Sequence, residues 1–153
     1  MKVKFTNLYK LIYKKKEILA KIKHLIKDSK FSGGHEVLEF EKIFKEFIGS
    51  RFCVSVGNGT DALQIALMAV DVGHGDEVIT VSHTAVPTVA AIELANYKPH
   101  LIDIDSDTFT LCPNALRKAI SEKTKAVILV HLYGQPAYIE EIIDICKSNN
   151  VIL

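Results

Sequence analysis

The residues with the most capacity for chemistry fall at three places: the run Gly57-Asn58-Gly59-Thr60-Asp61, the histidines His83 and His131, and the alternating carboxylates Asp103, Asp105 and Asp107. In the first, glycine at two of three positions lets the backbone turn sharply, and Thr60 or Asp61 can cap a helix that begins there. A helix start presents free backbone N–H groups and the positive end of the dipole, which suit a phosphate. The turn lacks the lysine of a GxxxxGK loop and does not fit GxGxxG, so a nucleoside triphosphate or dinucleotide is poorly supported. A plain strand-to-helix turn accounts for the same residues.

Each histidine follows an apolar strand-like run, which puts two imidazoles at one mouth; a hydrogen-bonded structural role is the competing reading. The six histidines form no HxxxH or HExxH pair, so a metal site is not indicated. The three aspartates share one side of a strand end and read as a solvated turn, because no glycine-centred calcium loop follows them. Nothing in the spacing sets a nucleophile beside a base.

Elements that could position these groups follow from periodicity. Leu11, Ile12, Ile18, Leu19, Ile22, Leu25 and Ile26 recur at three- and four-residue steps and predict one helix over 11–26. Phe31-Ser32-Gly33-Gly34 breaks it. A second helix is expected over 36–47, with Val37, Phe40, Phe44 and Phe47 inward and Gly49 as its stop. Beyond Arg51, strands at 53–56, 77–81, 100–104, 126–130 and 151–153 alternate with helices from Thr60 and at 86–95, 113–120 and 139–149. Such alternation predicts an α/β fold, a mainly parallel sheet with helices on both faces, and ligands at the carboxyl ends of the strands. Two regions are expected: a helical arm and helix over 1–50, and a partial α/β domain over 51–153. The apolar triplet 151–153 reads as the start of a buried strand, so the chain is expected to be the first part of a longer protein.

Bulk properties narrow the classes. The 153 residues are 48% hydrophobic, as in one soluble domain with a core. No apolar run reaches the roughly 18 residues of a membrane span, and no secretory signal is evident, so a cytoplasmic location is expected. Cys53, Cys112 and Cys146 are far apart and read as small core residues. Net charge is +1, but residues 1–30 hold ten lysines against Glu17 and Asp28. These lysines lack the aromatic and arginine interleaving of a base-reading surface, so nucleic acid is not the expected partner.

Several motifs in order carry a resemblance: Phe31-Ser32-Gly33-Gly34 with Glu36-Val37 and Phe40-Glu41, Gly59-Thr60-Asp61-Ala62-Leu63, Gly75-Asp76-Glu77-Val78-Ile79-Thr80, Lys123-Thr124-Lys125, and Val130-His131-Leu132-Tyr133-Gly134-Gln135-Pro136. Together, from about Asn7 to Leu153, the sequence resembles the DegT/DnrJ/StrS sugar aminotransferases. The resemblance implies an incomplete large domain of aspartate-aminotransferase-like (type I) fold, the cofactor pyridoxal 5'-phosphate, a homodimer, and transfer of an amino group from glutamate to a nucleotide-linked keto sugar in polysaccharide biosynthesis. It carries the cofactor phosphate onto Gly59, Thr60 and the N–H of Asp61.

Two departures qualify the resemblance. The place of the aromatic ring that stacks on the pyridine falls to Ala85, and His83 is the candidate to present a flat face instead. The family's acid for the pyridinium nitrogen and its Schiff-base lysine belong to positions past Leu153, so no catalytic residue is assigned within this chain, which alone is expected to be inactive. A dehydratase of the same family and a non-catalytic fragment that pairs with a complementary chain remain alternatives.

Overall fold

The computed structural model describes residues 14–70, 73 and 75–153. Leu11, Ile12, the first three lysines of the arm, and Asp71 and Val72 lie outside the described residues. The chain divides into two compact units, Met1–Ser55 and Val56–Leu153.

Among the described residues the first unit holds two helices, α1 (Lys15–Lys27) and α2 (His35–Ile48). α1 already ends at Lys27, followed by Ser29 at φ 54°, and Gly33 and Gly34, at φ 63° and 92°, lead into α2, which Gly34 directly precedes. Gly49 adopts a left-handed conformation at φ 77°, and its N–H returns to the Lys45 carbonyl, the expected helix stop. Neither helix contains a buried residue. Phe40 and Phe44 stack on each other at 5.5 Å, yet both remain exposed, so the inward face expected for α2 is not buried.

Cys53–Val56 is not a strand, contrary to expectation. Its backbone finds another partner: the Ser55 N–H donates to Glu41 Oε1 at 2.7 Å, and Phe52 and Val54 stay exposed. A short β-rich run without a neighbouring strand has no ladder to satisfy its polar groups and so takes a side-chain acceptor. Cys53 and Cys112 are only partly buried, and Cys146 alone is the core cysteine that all three were expected to be; burial pushes its thiol pKa up.

The second unit is a parallel α/β sheet. Its elements are α3 (Gly59–Ala69), β1 (Glu77–Val81), α4 (Val86–Leu94), β2 (Lys98–Ile102), α5 (Pro113–Ala119), β3 (Thr124–Val127) and α6 (Ile139–Ser148), with a short 3-10 turn at Leu132–Gly134. Sheet order is β2-β1-β3, and both pairings are parallel. The final residues extend the sheet beyond β3: Ile152 bridges Ala126, donates to the Lys125 carbonyl at 2.9 Å and accepts from the Val127 N–H at 2.8 Å.

Alternation along β1 feeds two cores. Val78 packs with Leu67, Ile92 and Ala95 under α3 and α4, while Ile79 and Val81 pack with Leu116, Ile142 and Ile145 under α5 and α6. A central strand buried on both sides therefore reads as a continuous apolar run. Thr80, fully buried, is satisfied because its hydroxyl donates to the Ile128 carbonyl at 3.0 Å.

Candidate functional site

The start of α3 is built around Asn58, not around Thr60 or Asp61 as the cap. Asn58 is extended, and its Oδ1 accepts from the Asp61 N–H at 3.0 Å. Its Nδ2 in turn donates to Asp61 Oδ2 at 2.9 Å, so the two side chains close a ring over the first turn. That fold-back needs Gly57, since a Cβ there would stand 2.8 Å from Asp61 Oδ2. The first N–H groups of a helix have no intrahelical acceptor. With Asp61 engaged by Asn58, the donors left for a ligand are the N–H groups of Gly59 and Thr60 and the Thr60 hydroxyl.

Helix direction carries these donors to the carboxyl end of the sheet. The Tyr97 hydroxyl, one residue before β2, donates to the Leu67 carbonyl in the last part of α3 at 3.3 Å. The end of α3 thus lies beside the start of β2. Eleven residues of helix span about 16 Å and five of strand about the same, so α3 is long enough to run back along the strands toward their carboxyl ends.

At that edge the loops following β1, β2 and β3 meet around a cavity of about 470 Å³. His83, Asp107, Thr108, Phe109, Tyr133 and Gln135 line it; Gly59, Thr60 and Asp61 do not. His83 is exposed and meets the Phe109 ring edge-on, centroids 6.4 Å apart at 79°. The loop holding it is fixed by a 2.8 Å hydrogen bond between the Thr84 and Thr88 hydroxyls. His131 has a structural partner, its Nδ1 accepting from the Ala137 N–H at 3.3 Å.

Phe109 and Tyr133 are the departures from ordinary backbone here, with φ of 57° and 55°. A bulky residue in this region costs about 1–3 kcal/mol. Tyr133 is 96% exposed as a residue, so packing does not offset its strain. Sequence reasoning found the loop but missed both residues and Gln135. Gly134, also at positive φ, was the available signal of a tight turn beside Tyr133.

Asp105 closes its own turn, accepting from the N–H groups of Thr108 (3.0 Å) and Asp107 (3.1 Å). Those backbone donors, Thr108 first, hold its carboxyl below the ordinary value of 3.8. The Tyr138 hydroxyl is pushed up, chiefly by the charge of Asp105, then by burial and by Asp107. The solvated aspartate turn expected from the sequence is therefore a negatively charged rim. Among the described residues no cluster of three metal-ligating side chains occurs.

Comparison with known proteins gives a consistent result. The family model of the DegT/DnrJ/EryC1/StrS aminotransferase family matches residues 13–153. A UDP-2-acetamido-2-deoxy-3-oxo-D-glucuronate aminotransferase of Pseudomonas aeruginosa is 44% identical over 137 residues, 90% of this chain and 38% of that protein. Among solved structures, NtdA of Bacillus subtilis with bound cofactor PMP matches with TM-score 0.93 and 29% identity, over 99% of this chain and 35% of that one. DesV of S. venezuelae matches with TM-score 0.92 and 32% identity, over 98% and 41%. The chain thus spans 35–41% of the length of these proteins.

Proposed function

The chain belongs to the DegT/DnrJ/EryC1/StrS aminotransferase family, and on that premise we propose that it forms the phosphate-anchoring part of a pyridoxal-phosphate-dependent aminotransferase. The substrate of that activity is a nucleotide-linked keto sugar and the amino donor is glutamate. The observation that carries the reading is the family match over residues 13–153, which contains the Gly59-Thr60-Asp61 turn.

The residues present fit the cofactor's phosphate. Gly59 and Thr60 offer two backbone donors at a helix N-terminus, and the Thr60 hydroxyl offers a third group. The Asp61 N–H joins them when Asn58 releases it, an exchange of one acceptor for a more highly charged one. His83 lies in the loop after β1, exposed and available to lie against a flat ring. Pyridoxal phosphate, when bound, supplies the electron sink for moving an amino group. This chain's contribution is to hold the phosphate at the carboxyl end of the sheet and thereby set the ring's position. The reading includes a cytoplasmic homodimer that serves polysaccharide biosynthesis; sedimentation velocity of the purified protein tests the dimer. Among the described residues no helix is long and apolar enough to cross a membrane.

Titration with pyridoxal phosphate and with pyridoxal, followed by amide resonances, tests the anchor. Pyridoxal phosphate should shift Gly59, Thr60 and Asp61, inorganic phosphate should compete, and pyridoxal should leave them in place. Thr60→Val should weaken pyridoxal phosphate by about tenfold through loss of a charge-assisted hydrogen bond. Equal binding of pyridoxal and pyridoxal phosphate would overturn the assignment. His83→Ala should weaken pyridoxal phosphate without abolishing the phosphate-dependent shifts; unchanged affinity would remove His83 from the site.

A further inference from the structure

We propose that the cavity walled by Phe109 and Tyr133 is the seat of the substrate's sugar ring, with Asp107 and Gln135 reading its hydroxyl groups. The inference rests on the reading above, in which a sugar nucleotide is the substrate, and it assigns that substrate residues of this chain.

Position is the first argument. The cavity is lined by His83, in the loop following β1, and by residues of the loops that follow β2 and β3. A group bound there lies beside the proposed cofactor position without overlapping the helix start at Gly59, which is not part of its lining. Its volume, about 470 Å³, lies within the ordinary range for small-molecule sites.

The chemistry of the wall is the second. Two aromatic rings supply apolar faces, and the Asp107 carboxylate and Gln135 amide supply an acceptor and a mixed donor–acceptor. The lining holds no lysine or arginine among the described residues, and the neighbouring Asp105 adds negative charge to the rim. A diphosphate is repelled by such a wall, whereas an uncharged ring carrying hydroxyl groups satisfies it. The nucleoside diphosphate portion therefore lies outside this cavity.

Backbone conformation is the third. Both ring-bearing residues are held at positive φ, and both rings are exposed at the cavity instead of being packed into a core. Strain that packing does not explain, at two residues facing one cavity, points to ring placement for a ligand.

The test compares sugar nucleotides with their sugar-free counterparts. UDP-, dTDP- and GDP-linked hexoses are each titrated against UDP, dTDP and GDP, with affinity and amide shifts recorded. At least one sugar nucleotide should bind about tenfold tighter than its nucleoside diphosphate, with shifts at Phe109, Tyr133 and Gln135. Tyr133→Gly and Phe109→Gly remove the ring and suit the positive φ, so they should keep or raise the melting temperature while erasing the sugar-dependent gain. Pyridoxal phosphate affinity should be unchanged in Tyr133→Gly, whereas Phe109→Gly also removes the ring that His83 meets edge-on and is read only for the sugar-dependent gain. A sugar-dependent gain that survives both substitutions, or no gain with any of the three nucleotides, overturns the inference. Failure of pyridoxal phosphate to shift Gly59 and Thr60 counts against the cofactor reading instead, so the two failures are distinguishable.

Discussion

At the level of single side chains, Asn58 does two things: it caps α3 and it occupies the N–H of Asp61 that a phosphate would use. Asn58→Ala should cost about 1 kcal/mol of stability, the usual loss for an N-cap, measured by urea denaturation. The loss should shrink in saturating phosphate, because the anion then takes the vacated donor. An undiminished loss would show that phosphate does not reach this N–H. The cap was legible in outline, since asparagine is a favoured cap residue, but Thr60 and Asp61 compete for the role on composition alone. Asp105 gives a second prediction. Its folded-state pKa is lowered by the Thr108 and Asp107 N–H groups, so its stabilising contribution is present above 3.8 and is lost as pH falls through the lower folded value. Its carboxyl resonance should titrate with a midpoint below 3.8; a midpoint at or above that value contradicts the turn.

Among the elements, β1 is the one on which both cores depend. Ile79 is fully buried beneath α5 and α6, and Ile79→Ala should cost about 2–5 kcal/mol, read from the denaturation midpoint at constant slope. Thr80 faces the other side and ties β1 to Ile128 just past β3. Thr80→Val keeps the shape and leaves the Ile128 carbonyl without this donor, so it should cost about 1–3 kcal/mol. A neutral outcome would mean another donor takes the carbonyl. The residues 77–81 of β1 were readable from sequence because a central strand is apolar on both faces and is bounded by Gly75 and Ser82. The segment at 53–56 has the same texture, and its non-strand state is set by the long-range contact of Ser55 with Glu41, which local pattern does not encode. The left-handed Phe109 and Tyr133 were hidden for a related reason. Aromatic residues rarely take positive φ, so only tertiary structure reveals it.

Across the whole molecule, stability is unevenly shared between the two units. Both cores, built on Ile79 and on Val78, lie within Val56–Leu153. Among the described residues of Met1–Ser55, the helices α1 and α2, 13 and 14 residues long, bury no residue. Isolated helices of this length are marginal in water, and most helix stability in proteins comes from burying a face. Their amides should therefore open far more often than those of β1. Native-state hydrogen exchange of this chain should find protection in β1 and β3 equal to global unfolding, with protection in α1 and α2 at least about tenfold lower. Stability of α1 and α2 measured in the same way should also respond little to Ile79→Ala, whereas β1 should lose protection by the full cost of that substitution. Equal protection in all four elements would show one cooperative unit and would mean that the exposed phenylalanines of α2 are covered in solution.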